Sequence, residues 1–218
     1  MLCIIQARCG SKRLRRKIFK KIKNIRIIDM VINKVKKSKK ISDIIIVTSK
    51  YKVDDDIETY CKNKKIKIFR GSLNNVASRF FEVSKIYNLK KVIRVSCDSP
   101  FINHKIIDKG ITLSKKSNYD IITNVFPRTF PKGLSFEIIK TSLIKKYIGL
   151  FSKKEKEHVT TYFYKNHKNF KIYNFYAKKN FSDINLCVDT SKDLNFLKKN
   201  YSKICRMKFS WKKLIVQL

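Results

Sequence analysis

Acidic residues, glycine and proline are scarce in this chain of 218 residues. It carries 16 Asp and Glu against 52 Lys and Arg, with only 5 glycines and 3 prolines. No Gly/Ser-rich linker and no internal repeat divides the sequence, so one domain spanning 1–218 is expected, with an ample core. No apolar run approaches the roughly 18 residues of a membrane-spanning helix. The first apolar run is too short for a secretion signal and charge follows it, so the cytosol is the expected compartment.

Closely spaced cysteines are also lacking. The six cysteines include no C-x-x-C pair, and this excludes the common zinc-ligand pattern. In a reducing cytosol they are expected to be free thiols, several of them in strands. They are Cys3, Cys9, Cys61, Cys97, Cys187 and Cys205.

The formal net charge of +36 is typical of a nucleic-acid-binding protein. The lysines, however, are spread along the whole chain and fall in pairs near the ends of the expected elements, where solvated residues belong. A compositional drift of the entire sequence therefore explains the charge better than one basic face does. In either case the charge predicts nonspecific attraction to polyanions that weakens steeply with salt.

Short apolar runs alternate with segments of helical periodicity, and this pattern predicts an α/β fold. We expect a Rossmann-like, mostly parallel central sheet with helices on both faces. The expected strands are 2–5, 43–48, 66–69, 92–97, 120–123, 171–176 and 186–188. The expected helices lie at 27–35, from 54, at 76–87, at 106–113, at 152–166 and at 191–201. Ligands of such sheets bind beyond the carboxyl ends of the strands.

The second half of the sequence is less regular. Residues 126–136 contain two of the three prolines and a glycine, which predicts a loop. The segment 162–176 is rich in tyrosine and phenylalanine, and it suits a dimer surface and a core equally well. We therefore expect either a plain single domain or one with a small dimerisation appendage around 126–180.

A loop rich in cations follows the first strand. Gly10 and Ser11 stand in its polar turn, and five Lys and Arg residues follow between 12 and 17. Glycine lets the backbone approach a ligand closely, main-chain N–H groups converge on oxygen, and the cations neutralise charge. The loop therefore predicts binding of nucleotide phosphates. It matches neither the Walker spacing nor G-x-G-x-x-G.

Two acids end apolar strands far apart in the sequence. Asp98 follows 92–97, and Asp189 follows 186–188. Carboxylates at the carboxyl edge of a parallel sheet suit Mg²⁺, which prefers oxygen ligands and bridges to phosphates. The alternative is that Asp98 caps the turn before Pro100 and that Asp189 caps the following helix, although Thr190 or Ser191 could also cap that helix.

The stretch Gln6-Ala7-Arg8-x-Gly-Ser-x-Arg13-Leu14-x-x-Lys17 resembles the N-terminal signature of sugar-acid cytidylyltransferases. The similarity is greatest to the acylneuraminate cytidylyltransferase-like proteins of spore-coat and surface polysaccharide synthesis. The segments around Asp98 and Asp189 resemble two further sequence motifs of this family, and they occur in the same order along the chain as in the family. The resemblance implies a nucleotidyltransferase that uses CTP and Mg²⁺ and joins CMP to a nonulosonate-like sugar acid, with release of pyrophosphate.

The resemblance also implies roles for the site residues. Arg13 and Lys17, with Arg8, would hold the β and γ phosphates, and Gly10 and Ser11 would offer backbone amides. The matching acids Asp98 and Asp189 would hold Mg²⁺. Arg79 and the Thr48–Ser49 turn lie near the place expected for the cytosine.

Four residues are candidates for the sugar-acid side. Glu157 and His158 resemble an element of the polysaccharide branch and would contact the acceptor, although His158 also suits an ordinary surface. Arg128 would pair with the substrate carboxylate, or it is a plain loop cation. Glu137 is the one acid left where the family shows several.

The sequence departs from the family pattern at several positions. Arg15 and Arg16 replace a usual Pro-Gly, and Lys132 and Ser135 replace acids. Acids expected between residues 74 and 78 are Asn or Ser. Two alternatives to the enzyme therefore stay open, a drifted non-catalytic homologue and a basic nucleic-acid-binding protein.

Overall fold

The computed structural model describes residues 1–206, and its centre is a seven-stranded sheet. The sheet order is β5-β4-β1-β6-β8-β7-β9. These strands are β1 (Leu2–Gln6), β4 (Asp43–Ser49), β5 (Lys67–Gly71), β6 (Lys91–Ser96), β7 (Ile121–Thr123), β8 (Glu137–Lys140) and β9 (Ile172–Asn174). A separate ribbon pairs β2 (Lys21–Ile22) with β3 (Ile25–Arg26).

Eight helices surround the sheet in the described part of the chain. They are α1 (Ile27–Lys36), α2 (Asp55–Asn63), α3 (Val76–Ile86), α4 (His104–Lys116), α5 (Thr141–Tyr147), α6 (Lys153–Glu157), α7 (Thr161–Lys165) and α8 (Ser191–Arg206). No helix among residues 1–206 is long and apolar enough to cross a membrane.

The sheet is parallel except for β8. β1 pairs in parallel with β4 and β6, β4 with β5, and β7 with β9, whereas β8 runs antiparallel to both β6 and β7. In the β6–β8 register Arg94 stands opposite Glu137. The first residue of β8 therefore lies at the edge where the parallel strands end.

Alternate side chains of the strands pack into two cores, one on each face of the sheet, because successive residues of a strand point to opposite faces. Ile5, Ile46 and Val95 pack in the core shared with α1, α2 and α4. Ile4 and Val47 pack in the core shared with α3, α5 and α7. The predicted α/β architecture with helices on both faces is confirmed.

A third core fixes the C-terminal part against the rest. Leu194 and Leu197 of α8 pack with Ile22 of the ribbon and with Leu186 and Val188. This packing holds the segment that precedes α8 beside the carboxyl edge of the sheet.

The second half of the fold differs from the sequence prediction in three places. The strand expected at 186–188 is not formed, and this segment is extended coil held by bonds such as Val188 N to Asp98 O. The helix expected at 152–166 is interrupted between α6 and α7. β8 and α5 were not predicted at all, because four residues of strand leave little periodicity to detect.

The aromatic segment 162–176 contributes mainly to the fold of the domain itself. Phe163 and Phe175 are buried in two different cores, while Tyr176 is exposed. Strand β9 lies within this segment and pairs with β7. A dimer surface around 126–180 stays a prediction.

Candidate active site at the carboxyl edge of the sheet

A cleft of about 720 Å³ opens where β1 and β6 end and β8 begins. All the residues predicted for the site line this cleft except Gly10, Ser11 and the Thr48–Ser49 turn. Those that line it are Arg8, Arg13, Lys17, Arg79, Asp98, Arg128, Glu137, Glu157, His158 and Asp189. The fold thus brings predicted residues from six separate stretches of the sequence to one place.

Asp54 anchors the cation-rich loop that follows β1. Its carboxylate is fully buried and accepts hydrogen bonds from Cys9 N at 2.7 Å and from Ser49 Oγ at 2.5 Å. Arg16 N then donates to Cys9 O at 2.9 Å. The start of the loop is therefore tied to the end of β4 through Asp54.

Gly10 and Ser11 lie outside the cleft lining in this conformation. Ser11 N donates to Cys9 O at 2.9 Å, so this amide is already used within the loop. A Cβ atom built on Gly10 would meet only Val53, at 3.6 Å, which is ordinary contact. Their role as donors to phosphate stays a prediction.

Lys17 lies between the two predicted metal-binding acids. Its Nζ is 2.7 Å from Asp98 Oδ2 and 2.8 Å from Asp189 Oδ1, and the residue is only 7% exposed. Burial lowers the pKa of Lys17, but Asp98 and Asp189 outweigh burial and raise that pKa above its ordinary value. Burial likewise opposes ionisation of Asp189, yet Lys17 holds the Asp189 pKa below its usual range.

The capping alternative for Asp189 does not describe the structure. Thr190 Oγ1 accepts from Asp193 N at 3.2 Å, while the Asp193 carboxylate accepts from Asp189 N and Thr190 N. Thr190 and Asp193 thus form the helix cap together. The Asp189 side chain is left free to turn toward Lys17.

The two carboxylates that meet at Lys17 Nζ fit a divalent cation. Mg²⁺ is commonly bound by one or two carboxylates together with substrate phosphates, and a positive charge already stands at their meeting point here. Among residues 1–206 no group of three His, Cys, Asp or Glu side chains is arranged to hold a metal. A metal held by these two carboxylates would take its remaining oxygen ligands from water or from a nucleotide.

Arg8 and Arg13 are only loosely engaged at the rim of the cleft. Arg13 lies 3.3 Å from Asp189, and Arg8 lies 2.8 Å from Glu157, in ion pairs whose side chains are largely open to solvent. Such exposed pairs contribute about 0–1 kcal/mol to stability, so they exchange partners readily. Both guanidinium groups are available to a phosphate chain.

Arg79 is the most buried of the cleft cations. It is 3% exposed, and it donates to Ser72 O at 2.7 Å and to Leu73 O at 3.0 Å. Burial lowers its pKa to about 10. Thr48 and Ser49 are fully buried and do not line the cleft, so Arg79 is the better placed of the predicted cytosine contacts.

Arg128 has no acidic partner in ion-pair contact among the residues described. Its Nη1 donates to Ser135 Oγ at 2.9 Å, and burial lowers its pKa. Its loop docks on the segment before Asp189, where Gly133 has a φ of 93°. A Cβ atom at Gly133 would lie 2.7 Å from the carbonyl carbon of Leu186, so only glycine fits.

Glu137 lies in the floor of the cleft with both carboxylate oxygens occupied. It is 2% exposed, pairs with Arg94, and accepts a 2.6 Å bond from Tyr164 Oη. Burial disfavours its charge, but the charge of Arg94 outweighs burial and keeps the pKa of Glu137 below its usual range. A direct sugar contact by Glu137 stays a prediction.

Sequence reasoning missed Gln6, Arg94 and Tyr164 as lining residues. Arg94 Nε donates to Gln6 Oε1 at 3.0 Å, which links two neighbouring strands. A signal for Arg94 was available, because a single arginine within the apolar run 92–95 of a central strand requires a partner.

Glu157, the last residue of α6, and His158, which follows it, line the cleft at the start of the break before α7. Ser152 begins this segment with a capping box, in which Glu155 N donates to Ser152 Oγ and Ser152 N donates to Glu155. Burial lowers the pKa of His158, so its ring is neutral at pH 7. Their contact with the acceptor stays a prediction.

Comparison with known proteins gives a consistent result. A family model described as cytidylyltransferase matches residues 2–214. An uncharacterized protein, MJ1063, of Methanocaldococcus jannaschii is 35% identical over 195 residues, which are 87% of this chain and 78% of the relative. The spore coat polysaccharide biosynthesis protein SpsF of Bacillus subtilis is 29% identical over 213 residues, 93% of this chain and 87% of SpsF. The structure of a cytidylyltransferase from Leptospira borgpetersenii superposes with a TM-score of 0.87 at 29% identity, covering 99% of this chain and 97% of that one.

Proposed function

The chain belongs to the cytidylyltransferase family and is a nucleotidyltransferase, and on that premise we propose that it transfers CMP from CTP to a sugar acid. The acceptor is a nonulosonate-like sugar, pyrophosphate is released, and the product serves surface polysaccharide synthesis in the cytosol. SpsF, a relative named for spore coat polysaccharide biosynthesis, supports this pathway class.

One observation carries the proposal most strongly. Lys17, Asp98 and Asp189 meet at 2.7 and 2.8 Å in the cleft, beside an arginine-rich loop at the ends of two parallel strands. Paired carboxylates next to flexible cations are what transfer of a phosphoryl group requires, because the protein's work there is positioning and charge stabilisation.

One half of the cleft, called the nucleotide half, contains the residues that bind CTP. Arg13 and Lys17, with Arg8, hold the β and γ phosphates and stabilise the leaving pyrophosphate. Gly10 and Ser11 supply backbone amides if the loop adjusts around the phosphates. Arg79 contacts the cytosine end of the nucleotide, since its burial and its bonds to two carbonyls fix its position.

Asp98 and Asp189 would hold Mg²⁺. When bound, the metal would supply positive charge to the α-phosphate and so stabilise the charge that develops during transfer. Lys17 leaves the two carboxylates at that stage and turns to the phosphates.

In the acceptor half, Arg128 pairs with the sugar carboxylate, since among residues 1–206 it makes no ion pair with an acidic side chain. His158 and Glu157 contact the sugar. The anomeric oxygen forms a bond to the α-phosphorus while the bond between the α-phosphorus and the α–β bridging oxygen breaks. Pyrophosphate leaves with the electron pair of that bond, and the hydroxyl proton passes to water.

Thermal stabilisation by nucleotides tests the proposal. CTP and UTP are compared at equal concentration, each with and without Mg²⁺, because a ligand that binds the native state raises the melting temperature. The two nucleotides carry nearly equal charge, so nonspecific attraction to the basic protein cancels in the comparison. We expect a larger, Mg²⁺-dependent shift with CTP.

A response to nucleotide charge alone would contradict the proposal. Equal shifts for CTP and UTP that vanish as salt rises would mean that the cations only attract polyanions. In that case the non-catalytic alternative would replace the enzyme.

A further inference from the structure

Gln6 ends β1 inside the cleft, and a chain of hydrogen bonds determines which way its amide faces. Its Oε1 accepts from Arg94 Nε at 3.0 Å. Guanidinium nitrogens only donate, so the oxygen of the Gln6 amide must be the atom on the Arg94 side. The amide nitrogen is therefore directed away from Arg94.

The Gln6 amide nitrogen is open to the cleft. Gln6 lines the cleft, and among residues 1–206 Nε2 makes no hydrogen bond with the protein. This nitrogen is also absent from the buried polar atoms without a partner in that part of the chain, so solvent reaches it. A donor that is oriented, accessible and unused is a ready contact for a ligand oxygen.

Arg94 is itself held firmly. Its Nη1 pairs with Glu137, and Glu137 receives the hydroxyl of Tyr164 on its other oxygen. The stacked ring of Phe126, at a centroid distance of 4.7 Å, supports Tyr164. Four side chains thus form one continuous relay from α7 through β8 and β6 to β1.

The relay contains Glu137, a residue predicted for the acceptor, and it reaches the cleft from one face of the sheet. Gln6, Arg94 and Glu137 each stand two residues from a buried residue of the core shared with α3, α5 and α7, so they lie on that face of the sheet. These buried residues are Ile4, Val92 and Ile139. This face is covered by the segment that carries His158. The proposed metal acids, in contrast, are gathered around Lys17.

We propose that Gln6 is a specificity-determining residue, whose amide nitrogen donates a hydrogen bond to an oxygen of the acceptor sugar acid. Arg94, Glu137 and Tyr164 are positioning residues that act through Gln6. This inference rests on the proposed function and adds to it the side chain that reads the acceptor.

The test uses the Gln6→Glu variant, because glutamate keeps the shape and still accepts from Arg94 but presents an oxygen to the cleft. N-acetylneuraminate is titrated into protein saturated with CMP, so that no turnover occurs. We expect Gln6→Glu to weaken N-acetylneuraminate binding by at least about 10-fold, as loss of one hydrogen bond to a charged ligand would. CMP binding should change by less than about 3-fold, since the nucleotide half is untouched.

Arg94→Lys tests the relay itself. Lysine keeps the charge beside Glu137 but lacks the Nε that fixes Gln6. We expect weaker N-acetylneuraminate binding in Arg94→Lys and no additional loss in the double variant with Gln6→Glu, because both changes remove the same oriented donor. Arg26→Lys, at an exposed position in β3, is the matched control and should bind as the wild type does.

Three results would overturn the inference. The first is unchanged N-acetylneuraminate binding by Gln6→Glu. The second is multiplicative losses in the double variant, which would mean that Arg94 contacts the acceptor itself. The third is no binding by the wild type up to about 1 mM, the weakest affinity on the usual scale. Failure of the proposed function would be visible separately, as loss of CTP-selective stabilisation in the wild type.

Discussion

Lys17 is the residue whose surroundings say most about the site. A lysine with 7% exposure is tolerated only when its charge is compensated, and here two carboxylates from distant parts of the chain compensate it. The proposed metal ligands therefore already share one cation of the protein itself.

Replacing Asp98 with alanine should remove activity while the fold persists. We expect turnover of CTP in the presence of Mg²⁺ to fall by at least about 10²-fold, the usual loss when one group that stabilises the developing charge is removed. Lys17 keeps Asp189 as a partner, so the melting temperature should change by only a few degrees. Steady-state kinetics and a thermal melt measure the two effects.

Asp183→Ala is the matched control, because Asp183 is an exposed acid outside the cleft lining. It should leave turnover unchanged. Full activity of Asp98→Ala with Mg²⁺ would show that the assignment of Asp98 to the metal is wrong.

At this scale the sequence revealed residue identities better than conformations. The motif residues around Arg13, Asp98 and Asp189 predicted a common site because strand ends gather at one edge of a sheet. Asp189 does reach this site, although the segment before it is not a strand. The left-handed conformation of Arg16, with a φ of 54°, could not be predicted, since non-glycine residues rarely adopt it. It follows from the bond between Arg16 N and Cys9 O, a contact that only the folded loop supplies.

The packing of α4 on the sheet depends on one glycine. Gly110 lies so close to Phe136 that a Cβ atom would be 2.1 Å from the Cζ of that buried ring. A contact of this length is impossible, so either the helix or the segment leading into β8 would have to move.

Gly110→Ala should therefore destabilise the protein in spite of its better helix propensity. Alanine favours a helix over glycine by about 1 kcal/mol, while overpacking a core costs about 1–3 kcal/mol. Because Phe136 is fully enclosed and cannot swing away, we expect overpacking to win and the melting temperature to fall by several degrees.

Gly149→Ala is the control for that substitution, since nothing lies within 4 Å of its added Cβ. Thermal melts of both variants, followed by circular dichroism, make the comparison. A Gly110→Ala protein as stable as the wild type would mean that α4 is not held against Phe136.

The elements themselves were predictable in proportion to their length and regularity. The parallel strands near the N-terminus are apolar runs next to amphipathic helices, and each was found. Residues 186–188 have the composition of a strand but no neighbouring strand to pair with, since backbone bonds to Asp98 and the packing of α8 hold them instead. Composition alone does not reveal which partner a short apolar run will meet.

The net charge of +36 acts on the whole molecule. Cations dispersed over a surface bind any polyanion because binding releases the counterions of the polyanion. The logarithm of the binding constant therefore falls linearly with the logarithm of the salt concentration. We expect random-sequence DNA and heparin to bind with similar affinity at 50 mM salt. Both should lose at least about 10²-fold in affinity by 200 mM, which fluorescence anisotropy at increasing salt would measure.

A different outcome would favour the nucleic-acid-binding alternative. Binding to one DNA or RNA that persists at 200 mM salt, while heparin has dissociated, would require base or shape recognition in addition to charge. The dispersed lysines of this chain give no reason to expect such a preference.

The reversed direction of β8 leaves a signature in the tolerance of each strand to mutation. In β1 and β6 the constrained polar positions come last, at Gln6 and at Arg94 onward, because those strands run toward the cleft. In β8 the order is inverted, so Glu137, its first residue, faces the cleft while Lys140, its last, lies at the opposite edge. A map of permitted substitutions should therefore show tolerance falling from the first to the last residue in the parallel strands of the sheet. In β8 tolerance should rise from the first residue to the last.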